Sequence, residues 1–136
     1  MPSPRTLSEP NNQAMRLLAE NHAVLSLVAG KETLLNASLE SVLIKYEENG
    51  LVLKLTLLLR HSASVSKLLL CFEQVSAYAL AYSMEVSFYN VVSYKFLPIE
   101  KGYYLSLDPY DETQGVDEKD NDFIVATRIK AYALAV

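Results

Sequence analysis

The stretch "LESVLIKYEENGLVLKLTLLLR", Leu39 to Arg60, constrains the fold more than any other part of the chain. It places Asn49-Gly50 between two runs of alternating residues. Asn-Gly favours the type I′ turn, whose twist suits antiparallel strands. A two-residue turn at that point predicts that Tyr46 faces Leu53, Ile44 faces Leu55 and Val42 faces Leu57, all on one apolar face. The opposite face takes Lys45 against Lys54, Leu43 against Thr56 and Ser41 against Leu58. The two like charges there predict a solvated surface. Turn chemistry and side-chain period are independent signals, and they agree on one register.

More strands follow. "VSKLLLCF" is a short apolar run that reads as a buried central strand. Over Glu85–Leu97, the residues Val86, Phe88, Val92, Tyr94 and Phe96 fall on one side of a period of two, which predicts a strand that Pro98 ends. In Ala77–Met84, Tyr78, Leu80 and Tyr82 alternate with alanines, favouring strand over helix. "YYLSL" and "DFIVATRIKAYALAV" complete the set, the last closing the sheet. Before the hairpin, "NNQAMRLLAENHAVLSLVAG" carries Ala14, Leu17, Leu18, Val24, Leu25 and Val28 at helical spacing, interrupted by Asn21. Asn11 or Asn12 is placed to cap that helix and Gly30 to end it. The expected fold is therefore α+β: an N-terminal helix on a mainly antiparallel sheet or small sandwich of six to seven strands. It is one domain of 136 residues, with a loose tail over 1–10, a helix over 11–30 and a β-rich body over 36–136.

Composition excludes several classes. Half of the residues are apolar and about a fifth charged, which suits a packed core rather than disorder. No apolar run is long enough for a helical membrane span. The opening "MPSPRTLSEPNNQ" has no apolar stretch of the kind a secretory leader needs. One Cys permits no internal disulfide, which fits a reducing, cytoplasmic setting. Four glycines form no phosphate-binding loop, so no nucleotide cofactor is expected. His22, His61 and Cys71 have no ligand spacing, so no transition-metal site is expected. No nucleophile stands with a positioned base, and the chain reads as non-enzymatic.

Charge is the remaining signal. Between Asp108 and Asp122 five Asp and two Glu meet one Lys, a local −6, so the rest of the chain carries +2 of the net −4. This loop repels phosphates and so disfavours nucleic acid. An EF-hand does not fit: counted from Asp117 the third position is Lys119, and no Gly stands sixth. What remains is a solvated connection between strands, or a surface for a basic protein partner formed by Asp108, Tyr110, Asp111, Glu112, Asp117, Glu118, Asp120 and Asp122. Tyr110 would add aromatic contact area to those carboxylates.

The order "LESVLIKY…GLVLKLTLLL…KLLLCFEQV…YYLSLDPYDE…DFIVATRIKAY", from about Asn36 to Leu134, resembles small bacterial β-rich proteins of unknown or toxin-immunity-type function. That resemblance implies a protein that neutralises a basic partner through an acidic surface. Two other readings stand beside it. One is a β domain that binds a small ligand or cation through its Tyr residues or loop carboxylates. The other is a structural subunit that forms homo-oligomers through an exposed sheet edge.

Overall fold

The computed structural model describes residues 15–62, 64–84, 89–111 and 115–135. Among them the chain forms strands β1 (Met15–Glu20), β2 (Ser38–Glu47), β3 (Gly50–Leu58), β4 (Lys67–Ala79), β5 (Lys95–Ile99), β6 (Gly102–Asp108) and β7 (Asn121–Leu134), with a helix α1 (His22–Ala29) after β1. All seven strands join one antiparallel sheet in the order β2-β3-β4-β7-β6-β5. β1 pairs with β7 off that path.

The sheet-dominated expectation holds; the long N-terminal helix does not. The proposed caps Asn11 and Asn12 lie outside the described residues, and Met15–Glu20 is a strand. Asn21 is the reason. Its amide donates to the Ile129 carbonyl (2.7 Å), and its Oδ1 accepts from the Ile129 amide (3.1 Å). With φ at 52° it turns the chain out of β7's edge, and only the eight residues after it are helical. An apolar stripe at helical spacing was thus divided by a long-range pairing, because β7 needed a partner for its outer amides beyond β6. Val24 and Val28 keep the apolar face and are buried. The Tyr94 hydroxyl donates to the Val28 carbonyl at 2.6 Å, satisfying one of the helix's last acceptors.

The hairpin is correct in kind and in faces, but its register is two residues from expectation. Glu47 pairs with Gly50, so the turn residues are Glu48 and Asn49. Tyr46 faces Leu51, Ile44 faces Leu53 and Val42 faces Leu55. A type I′ turn on Asn49-Gly50 needs positive φ at both. Only Gly50 (φ 126°) has it; Asn49 does not. A shift of two preserves the faces, so the apolar side survives. Lys45 now opposes Val52 instead of Lys54, and its ammonium lies 3.9 Å from Glu47.

Central β4 joins "VSKLLLCF" to the following residues in one strand of 13. Leu68, Leu70 and Phe72 on β4 lie with Leu53, Leu55 and Leu57 on β3 and with Ile129 and Ala131 on β7 in the fully buried core. Burying such a set supplies the main driving force, about 25 cal/mol for each Å² of apolar surface removed from water. The sheet coils enough that Phe96 on edge strand β5 meets Phe72, ring centroids 6.4 Å apart. The strand expected over Glu85–Leu97 is corrected. Residues 85–88 lie outside the described residues, and 89–91 only run beside the start of β2. β5 begins at Lys95 and continues through Pro98. Proline is tolerated because β5 is an edge strand, where its missing N–H withholds no ladder bond. Gly102 starts β6 at φ 145°, and a Cβ there would lie 2.1 Å from the Ala126 carbonyl oxygen. Only glycine lets β6 approach β7 so closely.

Candidate functional site

The acidic stretch joins β6 to β7, as an inter-strand connection should. It is organised around one carboxylate. Asp120 Oδ1 accepts from the Tyr110 amide (2.8 Å), and Oδ2 accepts from the Tyr104 hydroxyl (2.7 Å) and the Asp117 amide (3.0 Å). The Lys95 ammonium lies 3.2 and 3.1 Å from the two oxygens. The same ammonium donates to the Gly115 carbonyl (2.8 Å) and to Asp111 Oδ1 (3.3 Å). The Asp120 side chain is fully buried and that of Lys95 is 3% exposed. β5 and β6 project Lys95 and Tyr104 to the point where the loop must close, and Asp120 ties both flanks of the loop to them.

The protonation states follow from these contacts. Burial pushes the Asp120 carboxyl up. The Tyr110 amide, Tyr104 hydroxyl, Asp117 amide and Lys95 ammonium outweigh burial and hold it below its ordinary value. Burial pulls Lys95 down, but its bonds to Asp120 and Asp111 hold it above its ordinary value. Burial and the neighbouring Asp120 push the Tyr104 hydroxyl up, so it stays a donor. The pair is therefore charged, and each remaining oxygen lone pair has a partner. That is the arrangement in which a buried ion pair is tolerated.

Asp122 is also buried. Its Oδ1 accepts from the Ala81 amide (2.8 Å), at a backbone φ of 51°. Burial pushes its carboxyl above the ordinary range, and Asp108 adds to that. The eight residues expected to face a partner therefore divide. Asp120 and Asp122 are corrections: both point inward and hold structure, because β5, β6 and the Ala81 segment offer donors that the acidic sequence alone does not reveal. Asp111 is part-buried against Lys95. Asp108 and Glu118 are exposed, Asp117 is half-buried, and Glu112 lies outside the described residues. Asp108 accepts from the Asn121 side chain (3.3 Å), and Asp117 caps its own turn by accepting from the Lys119 amide (2.8 Å). Tyr110 is 59% exposed, with the Lys119 ammonium 4.8 Å from its ring centroid.

Lys95 and Tyr104 are the residues that sequence reasoning missed. Lys95 left one signal, a lone charge in the apolar run "VVSYKFLPI". A buried lysine demands a buried acid, and the acidic loop is the nearest source. Elsewhere, Cys71 is buried in β4 and burial pushes its thiol up, so it is held as an unreactive thiol. His61 sits exposed with its Nε2 3.0 Å from the Asn36 side-chain nitrogen. Among the described residues no group of three or more His, Cys, Asp or Glu side chains is arranged to hold a metal. Among the described residues no helix is long and apolar enough to cross a membrane. Compared with protein-family models, with curated proteins and with solved structures, the chain matches none.

Proposed function

We propose that this protein is a non-enzymatic interaction module of the immunity type, which meets a basic protein partner through the outer rim of the β6–β7 loop. The observation that carries this reading is the Asp120–Lys95 centre. It holds the backbone at Tyr110, Gly115 and Asp117, so these points of the rim are set before any partner arrives. A surface that need not be ordered on binding keeps more of its contact energy. Asp108, Asp117 and Glu118 supply negative charge on the same loop as the exposed ring of Tyr110, and an aromatic anchor among acids suits a lysine- or arginine-rich surface. Electrostatic steering makes such an association fast at low salt and slower as salt rises.

The test uses an arginine-rich peptide as the probe and the combined variant Asp108→Asn, Asp117→Asn, Glu118→Gln, which leaves Asp120 and Lys95 in place. The expected result is salt-sensitive binding by the wild type and a loss of about tenfold or more in the variant, roughly 1.4 kcal/mol. Tyr110→Ala should weaken binding without changing its salt slope. Equal binding by wild type and combined variant would overturn the reading.

A further inference from the structure

The main strand order ends at β5 and β2, and these two edges are finished differently. β5 is five residues long and carries Pro98, one of the devices that keep an edge from recruiting another strand. β2 is ten residues long. Its start is covered: the Leu39 amide donates to the Tyr89 carbonyl (2.7 Å), and the Val91 amide donates to the Ala37 carbonyl (2.9 Å). From Glu40 to Glu47 every residue is exposed. Among the described residues no strand pairs with the outer side of that stretch. Yet it is apolar: Val42, Leu43, Ile44 and Tyr46 are 37, 51, 41 and 81% exposed. Val42 and Ile44 stand opposite Leu55 and Leu53, which are fully buried. Among the described residues the core face of the sheet therefore runs out to its rim without a covering strand.

The Glu47–Gly50 closing pair sets the hydrogen-bonding alternation. Glu47, Lys45 and Leu43 direct their amides and carbonyls toward β3, and Val42, Ile44 and Tyr46 direct theirs outward. We propose that a second copy of this chain occupies this edge, β2 pairing antiparallel with β2 about a two-fold axis at Leu43. A two-fold axis normal to the sheet keeps each side chain on its own face, so the axis must pass through a residue rather than between two. Charge then selects which one. Centred on Lys45, the pairing sets that lysine against itself. Centred on Ile44, it sets Glu40 against the second copy's Glu48. Centred on Val42, it sets Lys45 and Tyr46 against Leu39 and Ser38, a stretch that the segment at 89–91 already covers. Centred on Leu43, Val42 meets the second copy's Ile44 twice, Ser41 meets Lys45 and Glu40 meets Tyr46, with no like charges opposed. The apolar stripe then continues across the join. The acidic loop lies across β3 and β4 from this edge and stays open in the pair.

Sedimentation velocity of the full chain across the micromolar range tests the pairing, and cysteine cross-linking tests its register. Leu43 lies at a non-hydrogen-bonded position on the axis, where facing Cβ atoms come within disulfide reach. The expected result is a concentration-dependent dimer in which Leu43→Cys cross-links on oxidation. Lys45→Cys should not, because its two copies are displaced by four residues, about 13 Å along the strand. Wild type, with only the buried Cys71, is the control. Leu43→Lys, at a half-exposed site, should remain folded and weaken the dimer by at least about tenfold. A monomer at every concentration overturns the proposal, including one whose Val42, Ile44 and Tyr46 amides prove protected by other means. So does a dimer indifferent to Leu43→Lys, or one in which Lys45→Cys cross-links as readily as Leu43→Cys.

Discussion

Asp120 and Val42 come from opposite kinds of sequence and end in opposite places. Asp120 belongs to the most charged stretch of the chain, yet its side chain is fully buried. Val42 belongs to the most regular apolar hairpin, yet it is 37% exposed. The difference teaches that composition sets what a residue needs, while topology decides whether the need is met. For Asp120, side chains from two strands and two loop amides bring donors to both oxygens. For Val42, no described strand lies beyond β2, and among the described residues the segment at 89–91 pairs only as far as Leu39. The charged loop is thereby internally paired through Asp120 and Asp111, with Asp108 and Glu118 left exposed. The apolar edge is the surface left unsatisfied.

The sharpest way to break this comparison is to truncate the two residues that face each other across the hairpin. Leu55 is fully buried and Val42 is its partner at the open rim. Leu55→Ala should cost about 3–4 kcal/mol, by lost transfer energy and the cavity left behind. Val42→Ala should cost less than about 1 kcal/mol in the monomer. Urea denaturation at low protein concentration measures both. Near-equal losses would mean that Val42 is covered in solution, and the contrast between loop and edge would fail.

How far this was legible beforehand depends on the range of the interactions. Strand periods and faces are local, so β2, β3, β6 and β7 could be read, and Val42, Ile44 and Tyr46 were correctly grouped. The two-residue shift in register was not readable, because it turns on Gly50 alone taking the positive φ. The division of the helix at Asn21 depends on Ile129, more than a hundred positions away. In the acidic loop the carboxylates could be counted but not sorted. Asp120 is buried because Lys95 and Tyr104 lie on neighbouring strands, and nothing within the loop distinguishes it from Glu118. Likewise, the exposure of β2 follows from its place at the end of the strand order, which its own residues do not encode.

A smaller contrast is expected inside the loop. Asp120→Asn leaves the buried Lys95 ammonium with the Gly115 carbonyl and the part-exposed Asp111 and weakens the bonds to Tyr110 and Asp117. Removing one member of a buried ion pair costs about 3 kcal/mol, and the amides of Tyr110 and Asp117 should then exchange faster. Glu118→Gln, at an exposed site in the same acidic run, should change stability by less than about 0.5 kcal/mol. If both substitutions were equally mild, the loop would be a wet connection after all, and the ordered rim proposed for partner binding would lose its support.

The least effect, and the most selective, concerns pH. Asp120 is held below the ordinary Asp value near 3.8 and Asp122 above it, so the two act with opposite sign in adjacent windows. The Asp122 charge opposes folding at neutral pH, and that opposition is relieved as pH falls through its raised value toward 3.8. The Asp120 charge favours folding above 3.8, and that support is lost as pH falls further. On the alkaline side Lys95 and Tyr104, both raised, favour folding until pH climbs past their ordinary values near 10.5 and 10.0. Asp122→Asn isolates one contribution. Asparagine tolerates the left-handed φ of 51° and can still accept from the Ala81 amide. The variant should be more stable than wild type at neutral pH, by less than about 1 kcal/mol because the Ala81 amide offsets part of the cost of burying the charge. Its advantage should shrink toward pH 4, while the steeper loss below that, which belongs to Asp120, stays. Thermal melts of both proteins from neutral to acid pH decide it. A variant less stable than wild type at pH 7 would mean that the Asp122 carboxylate is needed in its charged form, and that the loop's inward and outward acids are not divided as their contacts indicate.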